Sequence, residues 1–114
     1  MLRSFCTQGL QLKRYVEAND LFDILFVCEI TNGEYNYMPS YRAIMLDQGN
    51  TEGEDYEVDV MRFIPGTSEN FITEHAKMLV ELSGKENVPE ADFLQDAKDD
   101  WASYKYNPAN YGKE

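Results

Sequence analysis

The sequence predicts an α+β domain: an antiparallel β-sheet of three to four strands, followed by two C-terminal helices packed on one face of the sheet. Residues 21–30 are the densest block of β-branched and aromatic side chains in the chain, and they alternate as in a strand. Asn32-Gly33 follows, which is the strongest short signal for a hairpin. After Pro65-Gly66 the apolar residues change to a helical period. Strands that precede helices in this way are typical of the α+β class.

Residues 10–18 fit two structures. Leu10 and Leu12 alternate as in a strand, whereas Leu12 and Val16 would share one face of a helix. A strand is favoured, because Asn19-Asp20 is a suitable turn into the block that follows. The helix remains the alternative.

Residues 21–31 are predicted to be a central strand, and the two-residue turn after it fixes the pairing. In that register Cys28 opposes Tyr37. Pro39 lacks a main-chain donor, so pairing is interrupted there, and residues 41–46 resume the strand. The face expected to be buried consists of Phe22, Ile24, Phe26, Cys28 and Ile30.

Residues 47–54 are predicted to be a loop, because glycine, asparagine and carboxylates dominate them. Residues 56–64 form the next strand. Its core face would consist of Tyr56, Val58, Val60 and Ile64. Its outer face would present Asp55, Glu57 and Asp59, spaced about 6.6–6.8 Å apart.

Two helices follow. Ser68 caps the first, which runs to about residue 83, and Gly84 ends it. The second opens near Asn87 and Glu90, which resemble a capping box, and it ends at Asn107-Pro108. The apolar stripe of the first helix is Phe71, Ile72, His75, Ala76, Met78, Leu79 and Leu82. The buried face of the second is Phe93, Leu94, Ala97, Trp101 and Tyr104.

Composition and charge limit the function. The chain has 114 residues and a net charge of −11, which suits one acidic domain, with residues 105–114 as a flexible tail. Direct binding to nucleic acid or to an anionic membrane is disfavoured, because both require Lys and Arg. The N-terminus has no apolar secretion signal, and no apolar run approaches membrane-spanning length. A cytoplasmic protein with Cys6 and Cys28 reduced is expected.

No catalytic motif stands out, and we expect neither an enzyme nor a cofactor. His75 is the only histidine, and its neighbours on the helix are apolar, which is typical of the core edge. Cys28 is expected to be buried and inert. Oxygen ligands for Ca²⁺ or Mg²⁺ are available in the loop, but their spacing does not match the EF-hand pattern. The loop residues in question are Asp47, Asn50, Glu52, Glu54 and Asp55.

The distribution of acidic residues is the most informative pattern. Between Asp47 and Asp59 six carboxylates occur without a single Lys or Arg, and a second acidic set, Glu90 to Asp100, is opposed only by Lys98. Such density costs stability by self-repulsion, and a chain that tolerates it can be using the charges to bind a partner. The alternative is that both sets are solvated faces, one on a strand and one on a helix, that serve solubility alone. The predicted partner-binding residues are Asp47, Glu52, Glu54, Asp55, Tyr56, Glu57, Asp59, Asp96, Asp99 and Asp100.

These observations predict a non-enzymatic binding protein that inhibits a nucleic-acid-handling protein. Its carboxylates would mimic phosphate and occupy the basic groove of a nuclease or other nucleic-acid-binding protein. In charge and size, though in no sequence motif, the chain is similar to small acidic inhibitors from phages and mobile elements. Anti-restriction proteins, anti-CRISPR proteins and acidic immunity proteins are of this kind. The alternatives are a self-associating or assembly subunit, as in a homodimer, and a small enzyme that uses carboxylates or a cation.

Overall fold

The computed structural model describes residues 2–28, 38–48, 63–105 and 107–111, with residues 2–6 and 47–48 as main chain only. Within these ranges the chain is helical and contains no β-strand, so the predicted α+β class is wrong there. The helices are α1 (Leu2–Ala18), α2 (Tyr41–Gln48), α3 (Thr67–Ser83) and α4 (Phe93–Ser103), and a short 3₁₀ turn follows at Pro108–Asn110. None of these helices is long and apolar enough to cross a membrane.

Helix α1 replaces the strand that was favoured for residues 10–18. The helical alternative was the right one: Leu12 and Val16 are buried, whereas Leu10, which suggested alternation, is 51% exposed. The helix ends in a Schellman motif, in which the N–H of Leu21 donates to the carbonyl of Val16 at 3.0 Å. Asp20 takes the left-handed conformation that this motif needs, with φ of 49°.

The strand predicted at residues 21–31 is wrong for its described part, residues 21–28, which form irregular extended chain. Leu21 is buried because it closes the end of α1, but the face predicted to be buried is open to solvent: Ile24 is 70% exposed and Phe26 82%. Cys28 is likewise an exposed free thiol, not a buried one. The Asn32-Gly33 turn lies outside the described residues.

Helix α2 occupies residues that were predicted to resume the strand at 41–46. Ser40 caps it, because its hydroxyl oxygen accepts the N–H of Ala43 at 3.3 Å. Pro39 therefore precedes a helix start and does not interrupt a sheet. The strand predicted at 56–64 lies outside the described residues as far as residue 62, and Phe63 and Ile64 form no strand.

The core lies where α1, α3 and the start of α4 meet. Ala76 is fully buried at its centre, and its methyl group lets the elements approach closely. Tyr15, Leu25 and Leu79 pack against this core and are partly buried. The buried core residues are Leu12, Ile72, Ala76, Ala91 and Phe93.

Helix α3 confirms the helix predicted at 68–83, and Gly84 ends it in the left-handed conformation as expected. Its start differs: Gly66 is the residue that precedes the helix, and Ser68 lies inside the first turn with its hydroxyl donating to the carbonyl of Met38 at 3.1 Å. Only part of the predicted apolar stripe is buried. Ile72 and Ala76 face the core, whereas the other members reach the surface to different extents.

Helix α4 confirms the second predicted helix, although it begins later than expected. Asp92 caps it by accepting the N–H of Gln95 at 3.0 Å, whereas Asn87 lies in the left-handed region with φ of 60° and caps nothing. The residues from Asn87 to Glu90, which were predicted to form the first turn of this helix, instead belong to the connection from α3 to α4. Beyond the helix, Asn107 is buried and its side chain caps the 3₁₀ turn.

A buried carboxylate joins α3 to α2. Glu69 is 2% exposed, and its Oε1 accepts the main-chain N–H of Tyr41, the first residue of α2, at 2.7 Å. Its other oxygen is buried without a hydrogen-bond partner. Burial raises the pKa of Glu69, and the hydrogen bond from Tyr41 offsets part of that rise.

Stability should therefore depend on pH through Glu69. Because its pKa is raised in the folded chain, Glu69 contributes stability that is fully present below the ordinary glutamate pKa and is lost as pH rises through the raised value. We expect the free energy of unfolding of the wild type, minus that of Glu69→Gln, to fall as pH rises above the ordinary glutamate pKa of about 4.3. Urea unfolding at a series of pH values measures it. Glu81→Gln, on the exposed surface of α3, is the control for the loss of one carboxylate. A flat difference for Glu69→Gln would contradict the assignment.

The two glycines that bound α3 should differ in their tolerance of a methyl group. Gly66 has φ of 93°, and a Cβ there would lie 2.6 Å from Cδ1 of Leu94. Gly84 has φ of 66° and nothing within 4 Å of such an atom. We expect Gly84→Ala to lower the free energy of unfolding by about 1 kcal/mol, from backbone strain alone. Gly66→Ala should lower it by about 2–4 kcal/mol, because Leu94 must also move. Equal urea midpoints for the two variants would show that this contact is absent.

Candidate functional site

The predicted partner-binding residues divide into three groups. Asp96, Asp99 and Asp100 lie on α4, and all three are exposed. Asp47 lies in α2, where only the main chain is described. The remaining six, including the proposed acidic row, lie outside the described residues and stay predictions. These six are Glu52, Glu54, Asp55, Tyr56, Glu57 and Asp59.

Helical geometry brings the α4 aspartates together with a fourth residue. Asp92, Asp96 and Asp100 follow one another at intervals of four, and Asp99 lies beside them. We call these four exposed residues, Asp92, Asp96, Asp99 and Asp100, the α4 acidic face. Asp92 belongs to the acidic set between Glu90 and Asp100, but it was not among the predicted partner-binding residues. Lys98 is two residues from both Asp96 and Asp100 and therefore projects from roughly the opposite side of the helix.

Contacts at both ends of α4 hold the acidic face in a fixed orientation. At the start, the N–H of Phe93 donates to Oγ1 of Thr73 on α3 at 3.2 Å, and Phe93 is buried. At the end, the buried Trp101 has its carbonyl bound by Nδ2 of Asn107 at 2.9 Å. Nδ2 of Asn110 also donates to the carbonyl of Ala102 at 2.7 Å. The inner side of α4 is therefore anchored while its acidic side remains in solvent.

The charges on the α4 acidic face are poorly compensated. In the described residues, no Lys or Arg lies within ion-pair distance of any of its four aspartates, although Lys77 of α3 interacts electrostatically with Asp92 beyond that distance. The last turn of α4 contains no basic residue, although a helix C-terminus favours one. The guanidinium of Arg42, from α2, lies 5.1 Å from the ring centroid of Tyr104 at this end, where it contacts the ring. Asp99 accepts a hydrogen bond from a neutral group, Nε2 of Gln95, at 2.8 Å.

The other candidate groups do not assemble a catalytic or metal centre in the described part of the chain. The ring of His75 packs against that of Phe71, with centroids 4.4 Å apart, and its Nδ1 donates to the Phe71 carbonyl at 2.8 Å. No group of three or more potential metal ligands forms among the described residues. The suggested cation ligands of the 47–55 loop fall outside them, apart from the main chain of Asp47.

A shallow groove of about 400 Å³ lies between α1 and the extended segment that follows it. Asp20 lines it, but its side chain is 93% exposed and pairs with Lys85 at 2.8 Å, and this hydrogen bond lowers the pKa of Asp20. General acid catalysis instead needs a carboxyl whose pKa is raised by burial. The residues that line the groove are Lys13, Val16, Glu17, Asp20, Phe22, Asp23 and Leu25.

Comparison with known proteins gives no relative for this chain: no family model, curated protein or solved structure matches it. The α4 acidic face therefore has to be interpreted from its own geometry and charge.

The charges at the two ends of α4 should affect stability in opposite directions. Asp96 lies in the first turn, where the helix dipole favours a negative charge, and Asp100 lies in the last turn, where the dipole opposes one. We expect Asp96→Asn to lower and Asp100→Asn to raise the free energy of unfolding, each by about 0.3–1 kcal/mol at low salt. The measurement is urea unfolding, and both effects should shrink in 1 M salt. Changes of the same sign would mean that the dipole does not dominate at these positions.

Proposed function

We propose that this protein is a non-enzymatic inhibitor of a basic nucleic-acid-binding protein or nuclease. Its acidic surface occupies the groove that would otherwise hold the phosphate backbone. The α4 acidic face is the described part of that surface, and the predicted row at Asp55, Glu57 and Asp59 would be a second part. The protein does not bind nucleic acid itself, and it acts in the cytoplasm.

The charge spacing on α4 is the observation that carries this proposal. An α-helix rises about 1.5 Å per residue, so the step from Asp92 to Asp100 covers about 12 Å. Four carboxylates in that length give one charge per about 4 Å of axis, whereas one DNA strand carries a charge per about 3.4 Å. A groove lined with Lys and Arg would therefore encounter a similar charge density on the α4 acidic face and on a DNA strand.

The cost of this arrangement supports a role in binding. Four like charges on one helix face repel each other, and Asp100 in the last turn also opposes the helix dipole. Local rules are most often broken at functional sites, because selection for binding can outweigh a small loss of stability. The tight anchoring of Phe93 and Trp101 adds to this argument, since a rigid acidic face loses little conformational entropy when it binds.

A charge-matched pair of triple variants tests the proposal. Asp96→Asn, Asp99→Asn and Asp100→Asn together remove three charges from the α4 acidic face. The control, Glu17→Gln, Asp23→Asn and Glu86→Gln, removes three charges from other exposed positions. In a pull-down from nuclease-treated host extract, we expect the wild type to retain a basic nucleic-acid-binding protein at low salt and to release it at high salt. The α4 variant should retain at least tenfold less, because several charge contacts are lost.

The purified partner then allows a competition experiment. A duplex oligonucleotide should displace the wild type from the partner, and the control variant should behave like the wild type. If the α4 variant and the control bind equally well, the α4 acidic face is not the contact. If the partner binds duplex and wild type simultaneously, inhibition by occupation of the basic groove is wrong.

A further inference from the structure

A second surface, on α3, has a different chemical character. Four side chains follow one another along its outward side at intervals of four, three and four residues. Three of them are strongly exposed for their type: Phe71 is 50% exposed, Met78 49% and Leu82 76%. His75 lies between them and is partly buried. We call Phe71, His75, Met78 and Leu82 the α3 seam.

The spacing of the α3 seam is that of the apolar positions in a coiled coil. The core of the domain uses a neighbouring side of the same helix, through Ile72, Ala76 and Leu79. Among the described residues, the packing of the core therefore leaves the α3 seam uncovered. Its first two rings are held in place, because the ring of His75 packs at a tilt against that of Phe71 and hydrogen-bonds to the Phe71 carbonyl.

The residues that flank the α3 seam indicate the charge of its partner. On its outer flank lie Glu74 and Glu81, seven residues apart and both exposed. Lys77 lies further round the helix, where its Nζ is 2.8 Å from Oε1 of Glu74 and 3.8 Å from Oε1 of Glu90. On the other flank, Ile72 and Leu79 pack into the domain core. With respect to the described residues, the flank that carries the two glutamates is open and the other is not, so a partner helix would meet glutamates.

This charge pattern argues against a second copy of the chain. If two α3 helices paired antiparallel, the glutamates of one would face those of the other, and like charges at these positions destabilise a coiled coil. The net charge of −11 on each copy adds further repulsion. Lys or Arg on the incoming helix would instead pair with Glu74 and Glu81.

We propose that the α3 seam is a docking site for a basic amphipathic helix of a partner protein, whose apolar residues pack on Phe71, Met78 and Leu82 while its Lys or Arg side chains pair with Glu74 and Glu81. The proposal does not rest on inhibition through α4, because it involves other residues and a different mode of recognition. An apolar stripe that fits a helix also differs from a charged face that fits a phosphate groove.

Two synthetic helical peptides of about three heptads test the docking site. Both carry Leu at the seam positions, and one carries Lys and the other Glu at the flanking positions. The full chain, labelled with ¹⁵N, is titrated with each. We expect the Lys peptide to bind with a dissociation constant on the order of 0.1 mM, since a free peptide must become ordered on binding. Its largest chemical-shift changes should fall in α3, and the Glu peptide should bind at least tenfold more weakly.

Variants with matched controls sharpen the result. Leu82→Gln should weaken binding of the Lys peptide about tenfold, as expected for loss of an apolar anchor. Leu10→Gln is the control, because Leu10 is also exposed, at 51%, but lies on α1; it should leave binding unchanged. Glu81→Lys should reverse part of the preference, so that the Glu peptide gains affinity and the Lys peptide loses it.

Three outcomes would overturn the proposal. In the first, neither peptide shifts α3 resonances, which would mean that the seam is not open to a helix. In the second, both peptides bind equally, so that flanking charge has no role. In the third, sedimentation shows a dimer that Leu82→Gln converts to a monomer, in which case a second copy covers the seam. None of these outcomes bears on the α4 triple variant, which tests a separate surface.

Discussion

The arrangement of the described helices depends on the contact that fixes the start of α4 on α3. Oγ1 of Thr73 accepts the N–H of Phe93 at 3.2 Å and donates to the carbonyl of Glu69 at 2.8 Å. Because this hydroxyl is buried, the N–H of Phe93 would lose its partner if the hydroxyl were removed. The same contact places the ring of Phe93 in the core beside Ile72 and Ala76. It therefore sets both the packing of α4 and the direction in which its acidic side faces.

Polar groups carry an unusual share of the packing on α3. Ser68, Glu69 and Thr73 are all buried, and each forms a hydrogen bond to another segment or to its own helix. Such groups stabilise a fold only when their partners are in place, which makes the arrangement specific but sensitive to change. The hydrogen bonding of Glu69 is incomplete, because one of its oxygens is buried without a partner. Its raised pKa follows from the same burial.

Two surfaces remain after the core has formed, and they differ in chemistry. The α4 acidic face offers charge without apolar area, so its contacts would be fast and salt-sensitive. The α3 seam offers apolar area bordered by Glu74 and Glu81, so its contacts would depend on shape as well as charge. A protein that has both surfaces could bind one partner through charge on α4 and apolar contact on α3, or it could bind two partners at once. In either case the partner that we propose is basic, because both surfaces are bordered or covered by carboxylates.

The sequence by itself determined the net charge, α3 with its Gly84 end, the existence of α4, and Asp96, Asp99 and Asp100 as exposed acidic residues. These are local properties of helical period, glycine conformation and composition.

Tertiary structure decided the rest. The alternating block at residues 21–28 could form a strand only with a neighbouring strand, and α2 occupies residues 41–46 that were predicted to supply one. Likewise, periodicity placed Phe71, Met78 and Leu82 on one apolar stripe with Ile72 and Ala76. Only the position of α1 and α4 determined which half of that stripe is buried, because burial depends on contacts between segments that are distant in the sequence.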